Sequence, residues 1–364
     1  MTESGATGAT SDAVRLRDDG AAWDEFVATA ELGHFIQLSA WADILAPRGW
    51  EPLRIVTSSA DGRIGAQVML RRMRLLPWAY GYAWRGPVAD SYSAVAIDAF
   101  TAAVRAEATR RRLTHVYVDP ELPAGGPEAG RFLRAGWRRA RGIQPSKTRV
   151  VDLGATEKEL WSGLSSSCRN RVNKSRRLGV TVSVVGEEGL ADFERLHDAT
   201  VARAGIRRRD VVAAYRAFAA RDAAVLLLER DAEGNAIAAI LDVVCGRRVY
   251  ELYNGSIREG PAASVVNYQI HWQAMMGARE RGFASYDFFG TDLPNLATFK
   301  QQFGGEEREF AGGFELVTSW AGRLALAVLR RARGFTTRQP VNESSAETHA
   351  NFLPKSEAMR SSRA

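Results

Sequence analysis

The sequence predicts an α/β (α+β) protein made of two similar domains in tandem, each with a mixed sheet flanked by helices. A length of 364 residues favours two domains over one, and a hydrophobic fraction of 46% is ample for packed cores. The third observation is a pattern of elements that occurs twice. Each copy reads strand, tight turn, strand, strand, helix, strand, acidic residue.

The first copy spans residues 52–120. It begins with PLRIVTSS, turns at Asp61-Gly62, and continues with RIGAQVMLRRM and the aromatic strand WAYGYAW. A helix follows, AVAIDAFTAAVRAEATRRR, with apolar residues at helical spacing. The strand THVYVDP ends the copy. An Asp-Gly pair between alternating strands is a strong hairpin signal.

The second copy spans residues 223–290. It contains AAVLLLER, a turn at DAEGN, AIAAILDVV and the aromatic strand RVYELYNGS. The helix SVVNYQIHWQAMMGARERG, which we expect Gly282 to stop, leads into ASYDFFG. Asp61 and Asp119 are 58 positions apart, and Glu233 and Asp287 are 54 apart. Related domains are the preferred interpretation, and a coincidence of simple α/β patterning is the alternative.

Between the copies, ATEKELWSGLSSSCRNRVNKSRRLGV predicts one helix that starts near Glu157, becomes strongly basic and stops at Gly179. A last amphipathic helix, SWAGRLALAVLRRARG, is expected to pack back onto the body. The predicted organisation is a disordered N-terminus at 1–12, a first domain at 13–150, a second at 151–318, the C-terminal helix at 319–335 and a disordered tail at 336–364. The junction of the two domains would be a natural cleft.

Charge and composition limit the function classes. The net charge of +7 suits anionic partners such as nucleic acid, nucleotides, phosphorylated substrates or an anionic membrane face. The alternative is a proteome that is generally rich in arginine. No apolar run approaches the roughly 20 residues of a membrane span, and the polar N-terminus is not a signal peptide. Two cysteines cannot form a disulfide framework, so we expect a reducing cytoplasm.

Several chemistries lack support. The sequence has no P-loop, HExxH, CxxC or GxSxG motif, and its histidines show no metal-ligand spacing, so no metal site is predicted. The repeated architecture resembles the acetyltransferase fold. The acyl-CoA loop of that fold, Gln/Arg-x-x-Gly-x-Gly/Ala, occurs at 17–22 and 279–284, but neither string lies between a strand and a helix start. Cys168 lies among arginines but has no identifiable base, and a packed thiol is the favoured interpretation.

The segments together resemble the FemABX aminoacyltransferases over about residues 30–330. HFIQLSAWADILAPRGW resembles their Q-S-x-x-W segment, and WRGPVAD resembles their R-G-P-V turn. SCRNRVNKSRRLGV looks like their basic helix. YELYNGS, VVNYQIHWQAMMGARERGFASYDFFG and FKQQFGG resemble their C-terminal domain. Their order and spacing are more specific than any single motif. The resemblance implies two tandem acetyltransferase-like (GNAT-like) domains, in the short form of the family without a helical arm.

The resemblance also implies an activity. Family members transfer an amino acid from aminoacyl-tRNA to an amine of a peptidoglycan-precursor stem peptide, UDP-linked or lipid-linked. No cofactor is implied, because aminoacyl-tRNA is a co-substrate. The expected location is cytoplasmic, with peripheral contact at the anionic inner membrane face as a further expectation. The alternatives are aminoacyl transfer in peptide-antibiotic biosynthesis, a CoA-dependent N-acyltransferase on the same fold, and a non-catalytic nucleic-acid-binding protein.

The resemblance assigns catalytic roles to Phe299 and Lys300. Aminolysis of an ester passes through an oxyanionic intermediate, and a fixed cation there is worth roughly 3–4 kcal/mol in comparable sites. We expect Phe299 and Phe303 to shield Lys300 from water in a substrate cleft, where the lysine contributes little to stability. The alternative is an ordinary surface lysine.

The attacking amine must lose a proton, and Asp119 lies where the family has a carboxylate near that amine. Asp287 occupies the equivalent position of the second copy. Carboxylates can be tuned toward the working pH by burial. Capping of the following turn is the alternative role for both.

Substrate-binding residues follow from the same resemblance. The family's phosphate contacts match Arg48, where lysine is usual, and Arg207, for which Arg203, Arg208 and Arg209 compete. Tyr215 and Tyr253 are candidates for substrate hydrogen bonds or, alternatively, packed aromatics. Phosphate contacts with tRNA are predicted from the basic helix, or its cations form a solvated face; they are Arg169, Arg171, Lys174, Arg176 and Arg177.

Overall fold

The computed structural model describes residues 16–73, 76–205, 207–260 and 262–332, so the predicted disordered ends at 1–12 and 336–364 lie outside the described residues. The chain divides into two compact units. The described part of unit 1 comprises 16–73, 76–147, 244–247 and 308–332. That of unit 2 comprises 148–205, 207–243, 248–260 and 262–307.

The sheet of unit 1 is mixed and has seven strands, in the order β1-β2-β3-β5-β14-β6 with β4 paired to β2. The first two strands form the predicted hairpin, in which Gly62 adopts a φ of 111°. Strands β3 and β5 pair in parallel, whereas β14 pairs antiparallel to β5 and β6. The strands are β1 (Glu51–Ser59), β2 (Gly62–Arg72), β3 (Ala79–Ala83), β4 (Val88–Ala89), β5 (Leu113–Val118), β6 (Arg138–Ala140) and β14 (Gly313–Val317).

A single long helix connects the parallel strands of unit 1 and carries much of its core. The Ser93 hydroxyl caps this helix by accepting a hydrogen bond from the Ala96 amide at 3.1 Å. Its apolar face, including Phe100 and Val104, is buried with side chains from the sheet. The helices of unit 1 are α1 (Gly20–Thr29), α2 (Ser39–Leu45), α3 (Ala94–Arg111), α4 (Pro127–Arg134) and α11 (Trp320–Ala332), with 3-10 helices at Phe35–Gln37 and Ala46–Arg48.

Unit 2 repeats this plan with a second mixed sheet, ordered β13-β7-β12-β11-β10-β9-β8. Strands β11 and β12 are the parallel pair, joined through a helix as in unit 1. The strands are β7 (Lys147–Asp152), β8 (Thr181–Val185), β9 (Ala224–Arg230), β10 (Ala236–Cys245), β11 (Arg248–Ser256), β12 (Ser285–Asp287) and β13 (Glu306–Glu309). The helices are α5 (Glu157–Gly163), α6 (Ser166–Arg177), α7 (Leu190–Ala204), α8 (Val211–Ala219), α9 (Tyr268–Glu280) and α10 (Pro294–Gln301), with a 3-10 helix at Glu187–Gly189.

These elements confirm the predicted fold class of two acetyltransferase-like domains with mixed sheets. The single predicted basic helix is wrong, because the chain breaks between α5 and α6. Leu164 is extended there, and the Ser165 hydroxyl accepts a hydrogen bond from the Cys168 amide at 3.1 Å and starts α6. Helix α9 also begins at Tyr268 rather than near Ser264, since Asn267 has a left-handed φ of 78°.

Strand pairing places the segment after residue 308 differently from the sequence prediction, which assigned everything up to 318 to the second domain. Strand β14 lies in the unit 1 sheet between β5 and β6. Conversely, β7 pairs with β12 in the unit 2 sheet. Sequence patterns cannot predict which sheet such a strand joins, because β pairing connects segments that are distant in sequence.

Candidate active site

Lys300 lies on α10 and is buried, with 5% of its surface exposed. Its ammonium donates hydrogen bonds to the main-chain oxygens of Phe288, of Phe289 at 3.2 Å and of Gly290 at 3.0 Å. Burial lowers the pKa of Lys300, while the charges of Glu251 and Asp287 act in the opposite direction. The lysine therefore supplies the hydrogen-bond donors for three main-chain carbonyls that face inward in the turn after β12.

This burial agrees with the expected shielding of Lys300 from water, and the alternative of an ordinary surface lysine is wrong. An ammonium has three N–H donors, and here three carbonyls accept them. A substrate oxygen would have to displace one of those carbonyls or respond to the positive charge across a short distance. Because three main-chain carbonyls depend on this ammonium, we now expect Lys300 to contribute to stability, in contrast to the expectation from sequence.

An aromatic cluster lies next to the Lys300 turn, with His271 at its centre. The ring centroids of Phe299 and Phe303 are each 5.2 Å from that of His271, and Phe288 stacks on the same ring at 5.9 Å. Tyr268 contacts Phe299 with a centroid distance of 5.4 Å. Phe299 is half-buried and Phe303 is buried, so the predicted pair lies in a largely dry environment.

A buried Glu251–His271 pair in the same region was missed by sequence reasoning. Glu251 Oε2 lies 3.3 Å from His271 Nε2, and the side-chain amide of Asn254 donates to Glu251 Oε1 at 2.6 Å. Burial raises the pKa of Glu251, but His271 and Lys300 outweigh burial and lower it to about 2. One signal was available: a glutamate inside the otherwise apolar strand YELY and a histidine inside an apolar helix.

Asp287 is fully buried, and its contacts fit the turn-capping role. Its carboxylate accepts hydrogen bonds from the Thr148 hydroxyl and from the Phe289 amide, the latter at 2.8 Å. Arg248 lies 3.5 Å away as an ion-pair partner. Phe289 has a left-handed φ of 45°, so Asp287 and Lys300 together hold an unusual turn.

The basic helix α6 meets this cluster through Tyr268. Arg171 donates to the Tyr268 hydroxyl, and its guanidinium lies 4.7 Å from the centroid of that ring. Lys174 donates to the Ser264 hydroxyl at 3.1 Å, and Arg176 lies over the Trp161 ring at 5.3 Å. Arg169 donates to the main-chain oxygens of Ser162 and Leu164. Four of the five predicted tRNA-binding cations thus contact other residues of unit 2, and every one of the five except the half-buried Arg169 is exposed.

Among the arginines competing for the phosphate role in unit 2, Arg207 is exposed in the loop after α7. Arg208 is held by Asp198 at 2.6 Å and by Glu194 at 2.5 Å. The Arg203 guanidinium donates to the Ser256 main-chain oxygen at 2.8 Å, and Arg209 is buried.

The two candidate tyrosines are both buried in unit 2. Tyr215 lies on α8, and Tyr253 lies on β11 with its ring 6.0 Å from that of His197. Packing accounts for the burial of both side chains.

Asp119 lies at the end of β5 in unit 1 and is also buried. It accepts hydrogen bonds from the Tyr82 hydroxyl and from the main-chain amides of Arg85 and Gln144, at 2.7 Å and 3.4 Å. Burial raises the pKa of Asp119 to about 6, against the opposing charge of Arg85. A carboxylate of that pKa is ionised yet basic near neutral pH.

The motif residues of unit 1 serve its packing. Gln37 of the Q-S-x-x-W segment accepts a hydrogen bond from the Gln67 amide at 2.7 Å and donates to the Trp84 main-chain oxygen at 2.7 Å. A Cβ at Gly86 of the R-G-P-V turn would lie only 2.8 Å from the Gln37 side chain. Arg48 is half-buried at the end of the 3-10 helix that follows α2.

The start of α9 in unit 2 is the position where an acyl-CoA pyrophosphate would need main-chain amides. The buried Glu229 occupies it, since its carboxylate accepts from the Asn267 amide at 3.0 Å and from the Ile270 amide. Burial raises the pKa of Glu229 to about 7. A carboxylate here repels the phosphates that the CoA alternative requires.

Cys168 is fully buried on α6, and burial raises the pKa of its thiol to about 12. The packed-thiol interpretation is confirmed, because a nucleophilic cysteine needs a depressed pKa.

The structure thus brings together Lys300, Phe299 and Asp287 with Arg171 in unit 2, while Asp119 and Arg48 belong to unit 1. No group of three or more His, Cys, Asp or Glu side chains within residues 16–73, 76–205, 207–260 and 262–332 is arranged to hold a metal ion. None of the helices in those ranges has the length and apolar character to cross a membrane.

Comparison with known proteins gives two family matches along the chain. Residues 20–125 match the FemAB family, and residues 164–301 match an acetyltransferase (GNAT) domain. The lipid II:glycine glycyltransferase of Staphylococcus saprophyticus subsp. saprophyticus is 24% identical, over 81% of this chain and 91% of that one. The lipid II:glycine glycyltransferase of Staphylococcus aureus (strain MRSA252) is 28% identical over 52% of this chain and 47% of its own.

Among solved structures, a crystal structure of FemX superposes with a TM-score of 0.76 at 21% identity, covering 85% of this chain and 98% of that one. The C-terminal domain of a putative lysylphosphatidylglycerol synthetase from Agrobacterium fabrum gives a TM-score of 0.52 at 16% identity, over 88% and 99% of the two chains. These two likenesses concern the fold.

Proposed function

We propose that this chain, a member of the FemABX family, transfers an amino acid to an amine of a peptidoglycan-precursor stem peptide. Its similarity to a lipid II:glycine glycyltransferase, over 81% of this chain, supports this acceptor class. The observation in the structure that carries the proposal is the buried Lys300, held beside the aromatic cluster of unit 2. A positive charge in a dry environment is what ester aminolysis requires.

The donor in this proposal is aminoacyl-tRNA, used as a co-substrate without any cofactor. The acceptor amine attacks the ester carbonyl, forms the C–N bond and expels the ribose oxygen of the tRNA. The amine gives up a proton, and the departing oxygen gains one. Lys300 stabilises the oxyanion through its charge. Asp287 holds the turn whose main-chain carbonyls accept hydrogen bonds from Lys300.

Asp119 is the proposed base for the amine proton, because its pKa of about 6 leaves it ionised and basic near neutral pH. Arg48 and Arg207 are proposed to bind the phosphates of the acceptor. Phosphate contacts with the tRNA acceptor arm are proposed for the α6 cations, since a helix that carries five of them suits a polyanion. If the acceptor is lipid-linked, the enzyme works at the inner membrane face as a cytoplasmic, peripherally bound protein.

A transfer assay tests the proposal. The full chain is incubated with radiolabelled aminoacyl-tRNAs and a UDP-linked or lipid-linked stem peptide, and acetyl-CoA serves as the rival donor. We expect label in the peptide product only from aminoacyl-tRNA. Transfer from acetyl-CoA alone would contradict the proposal and the repulsive role of Glu229. A product with a free amino acid or small peptide as acceptor would instead favour the peptide-antibiotic branch.

A further inference from the structure

The outward face of α11 in unit 1 carries exposed apolar side chains between residues 320 and 328. Trp320, Leu324 and Val328 are 56%, 67% and 58% exposed, and Ala321 and Ala327 are exposed with them. Counted from Trp320, these side chains follow at positions +1, +4, +7 and +8, which places them on one side of an α-helix. We call these five residues the α11 stripe.

The opposite side of α11 explains why the helix is held with this face outward. Gly322 packs against Thr114 and Trp78, where a Cβ would approach to 2.5 Å and 3.1 Å. The chain enters the helix through the Thr318 amide, which donates to the Thr114 main-chain oxygen at 3.0 Å. The stripe is therefore not the core-facing side of α11, because the opposite side of the helix already packs against unit 1.

Arginines border the stripe at this end of the unit 1 sheet. The guanidinium of Arg138 lies 4.7 Å from the Trp320 ring centroid, and that of Arg323 lies 5.9 Å from it. A cavity of about 550 Å³ nearby is lined by Arg72, Arg110, Arg111 and Arg112, together with Glu51, Leu70, Pro77 and Ala79. The Ala79 amide, at the rim next to Trp78, donates to the Arg112 main-chain oxygen at 3.1 Å.

Acidic side chains offset only part of this charge. Glu315 pairs with Arg323 at 2.7 Å, Glu51 with Arg72 at 3.2 Å, and Glu107 with both Arg110 and Arg111. Six arginines thus stand against three glutamates at this end of the unit 1 sheet. A protein partner with an ordinary mixed surface does not need such an excess, whereas an anionic lipid surface matches both the charge and the apolar face.

We propose that the α11 stripe and its bordering arginines form a membrane-docking surface that inserts Trp320, Leu324 and Val328 into the headgroup region of an anionic bilayer. Interfacial helices of this kind bury their apolar side about 5–10 Å deep and draw further affinity from basic residues. The surface lies on unit 1 and uses no residue of the proposed chemistry, so it stands independently of the proposed function.

Vesicle flotation with the full chain tests the proposal. We expect binding to vesicles of equal parts phosphatidylglycerol and phosphatidylcholine, at least tenfold weaker binding to phosphatidylcholine alone, and loss of binding at high salt. The double variant Leu324→Asp/Val328→Asp should bind the anionic vesicles at least tenfold more weakly. Val95→Asp is the matched control, because Val95 is 58% exposed on α3 of the same unit. Its binding should stay within twofold of the wild type.

A fluorescent label reports insertion directly. Both native cysteines are buried, so a Leu324→Cys variant can be labelled selectively with an environment-sensitive dye. We expect a blue shift on adding anionic vesicles. Equal binding of the double variant and the wild type overturns the proposal. So does a dye that is already blue-shifted without lipid, which would mean that residues 333–364 or a second copy cover the stripe.

Sedimentation velocity separates those two covers, because only self-association depends on protein concentration. Activity distinguishes this proposal from the proposed function. The double variant should transfer to a soluble UDP-linked acceptor within twofold of the wild-type rate, and vesicle binding is measured without any substrate. An unchanged urea-unfolding midpoint in the double variant excludes misfolding as the cause of lost binding.

Discussion

In the proposed mechanism, Lys300 serves both chemistry and stability. Its ammonium donates hydrogen bonds to three carbonyls in a turn where the backbone of Phe289 has a left-handed conformation. The same charge is available to an oxyanion in a site where little water screens it. The two roles are coupled, because the turn fixes the position from which the charge acts.

Lys300→Met should therefore lower both activity and stability. We expect kcat to fall about a hundred- to a thousand-fold with little change in KM, since the lost interaction belongs to the transition state. The free energy of unfolding should fall by about 2–4 kcal/mol, because buried carbonyls lose their donor. Steady-state kinetics and urea unfolding measure the two effects.

The control for Lys300→Met is Leu196→Ala, which removes buried apolar atoms on α7 and destabilises the chain by about 2–5 kcal/mol without touching charge. It should keep a near-normal kcat below its melting temperature. Lys300→Arg should restore only part of the rate, because a guanidinium is bulkier and planar. A Lys300→Met enzyme that turns over normally while folded would remove the lysine from the mechanism.

Glu229 makes a pH-dependent contribution to stability. Its pKa is raised to about 7, above the value of about 4.3 for an unfolded chain. The folded state holds the proton more tightly, so the stabilisation is complete below pH 4.3 and is lost as the pH rises through 7. We expect the unfolding free energy of Glu229→Gln, relative to wild type, to rise by up to about 3 kcal/mol between pH 4 and pH 8. Urea unfolding at several pH values measures it, and parallel pH curves would show that Glu229 does not titrate in this range.

Short caps decide where individual elements begin. Three consecutive serines precede the cations of α6, yet only Ser165 has the extended backbone and the hydroxyl contact of an N-cap. This residue fixes the position at which α6 begins.

Ser165→Ala should cost about 1 kcal/mol in unfolding free energy, because the Cys168 amide loses its acceptor. Urea unfolding measures the change. Ser167→Ala, at an exposed position in the first turn of the same helix, is the matched control and should change stability by less than about 0.5 kcal/mol. Equal losses in both variants would mean that the break between α5 and α6 does not depend on the cap.

The α6 cations lead to a prediction at the same scale. Arg171→Glu/Lys174→Glu should weaken tRNA binding and lower the slope of log affinity against log salt by about 1.5–2, the value for two lost phosphate contacts. Arg216→Glu/Arg221→Glu on and after α8 carries the same charge change and should leave the slope nearly intact. Filter binding at several salt concentrations gives both numbers. Unchanged tRNA affinity with weaker precursor binding would assign α6 to the other substrate.

At the scale of the whole molecule, two repeated units contribute different functional groups. Lys300, Asp287 and the α6 cations belong to unit 2, whereas Asp119 and Arg48 belong to unit 1.

Arg48→Ala and Arg207→Ala should each raise KM for a UDP-linked precursor about tenfold or more, the equivalent of one charge-assisted hydrogen bond. KM for a phosphate-free stem peptide should change far less. Arg208→Ala is the matched control for Arg207→Ala, because Arg208 already forms ion pairs with Asp198 and Glu194. Equal effects on both acceptors would show that these arginines do not bind phosphate.

The sequence by itself determined the repeated fold and the family resemblance. Strand alternation, the Asp61-Gly62 turn and the helical spacing of 94–111 are local signals, and local signals reflect preferences of neighbouring residues. Motif order then identified the FemABX resemblance, which the comparisons confirm. The same local logic found Lys300 as a singular residue between two phenylalanines.

Only the tertiary structure decided what surrounds that lysine. Its three carbonyl acceptors lie 10 to 12 positions earlier, and Glu251 and His271 come from another strand and another helix. The return of β14 to the unit 1 sheet and the outward face of α11 were equally invisible. Burial, desolvation and strand pairing arise between segments that are far apart in the chain. A periodic pattern shows that an apolar face exists, but only the packed structure shows whether that face is covered.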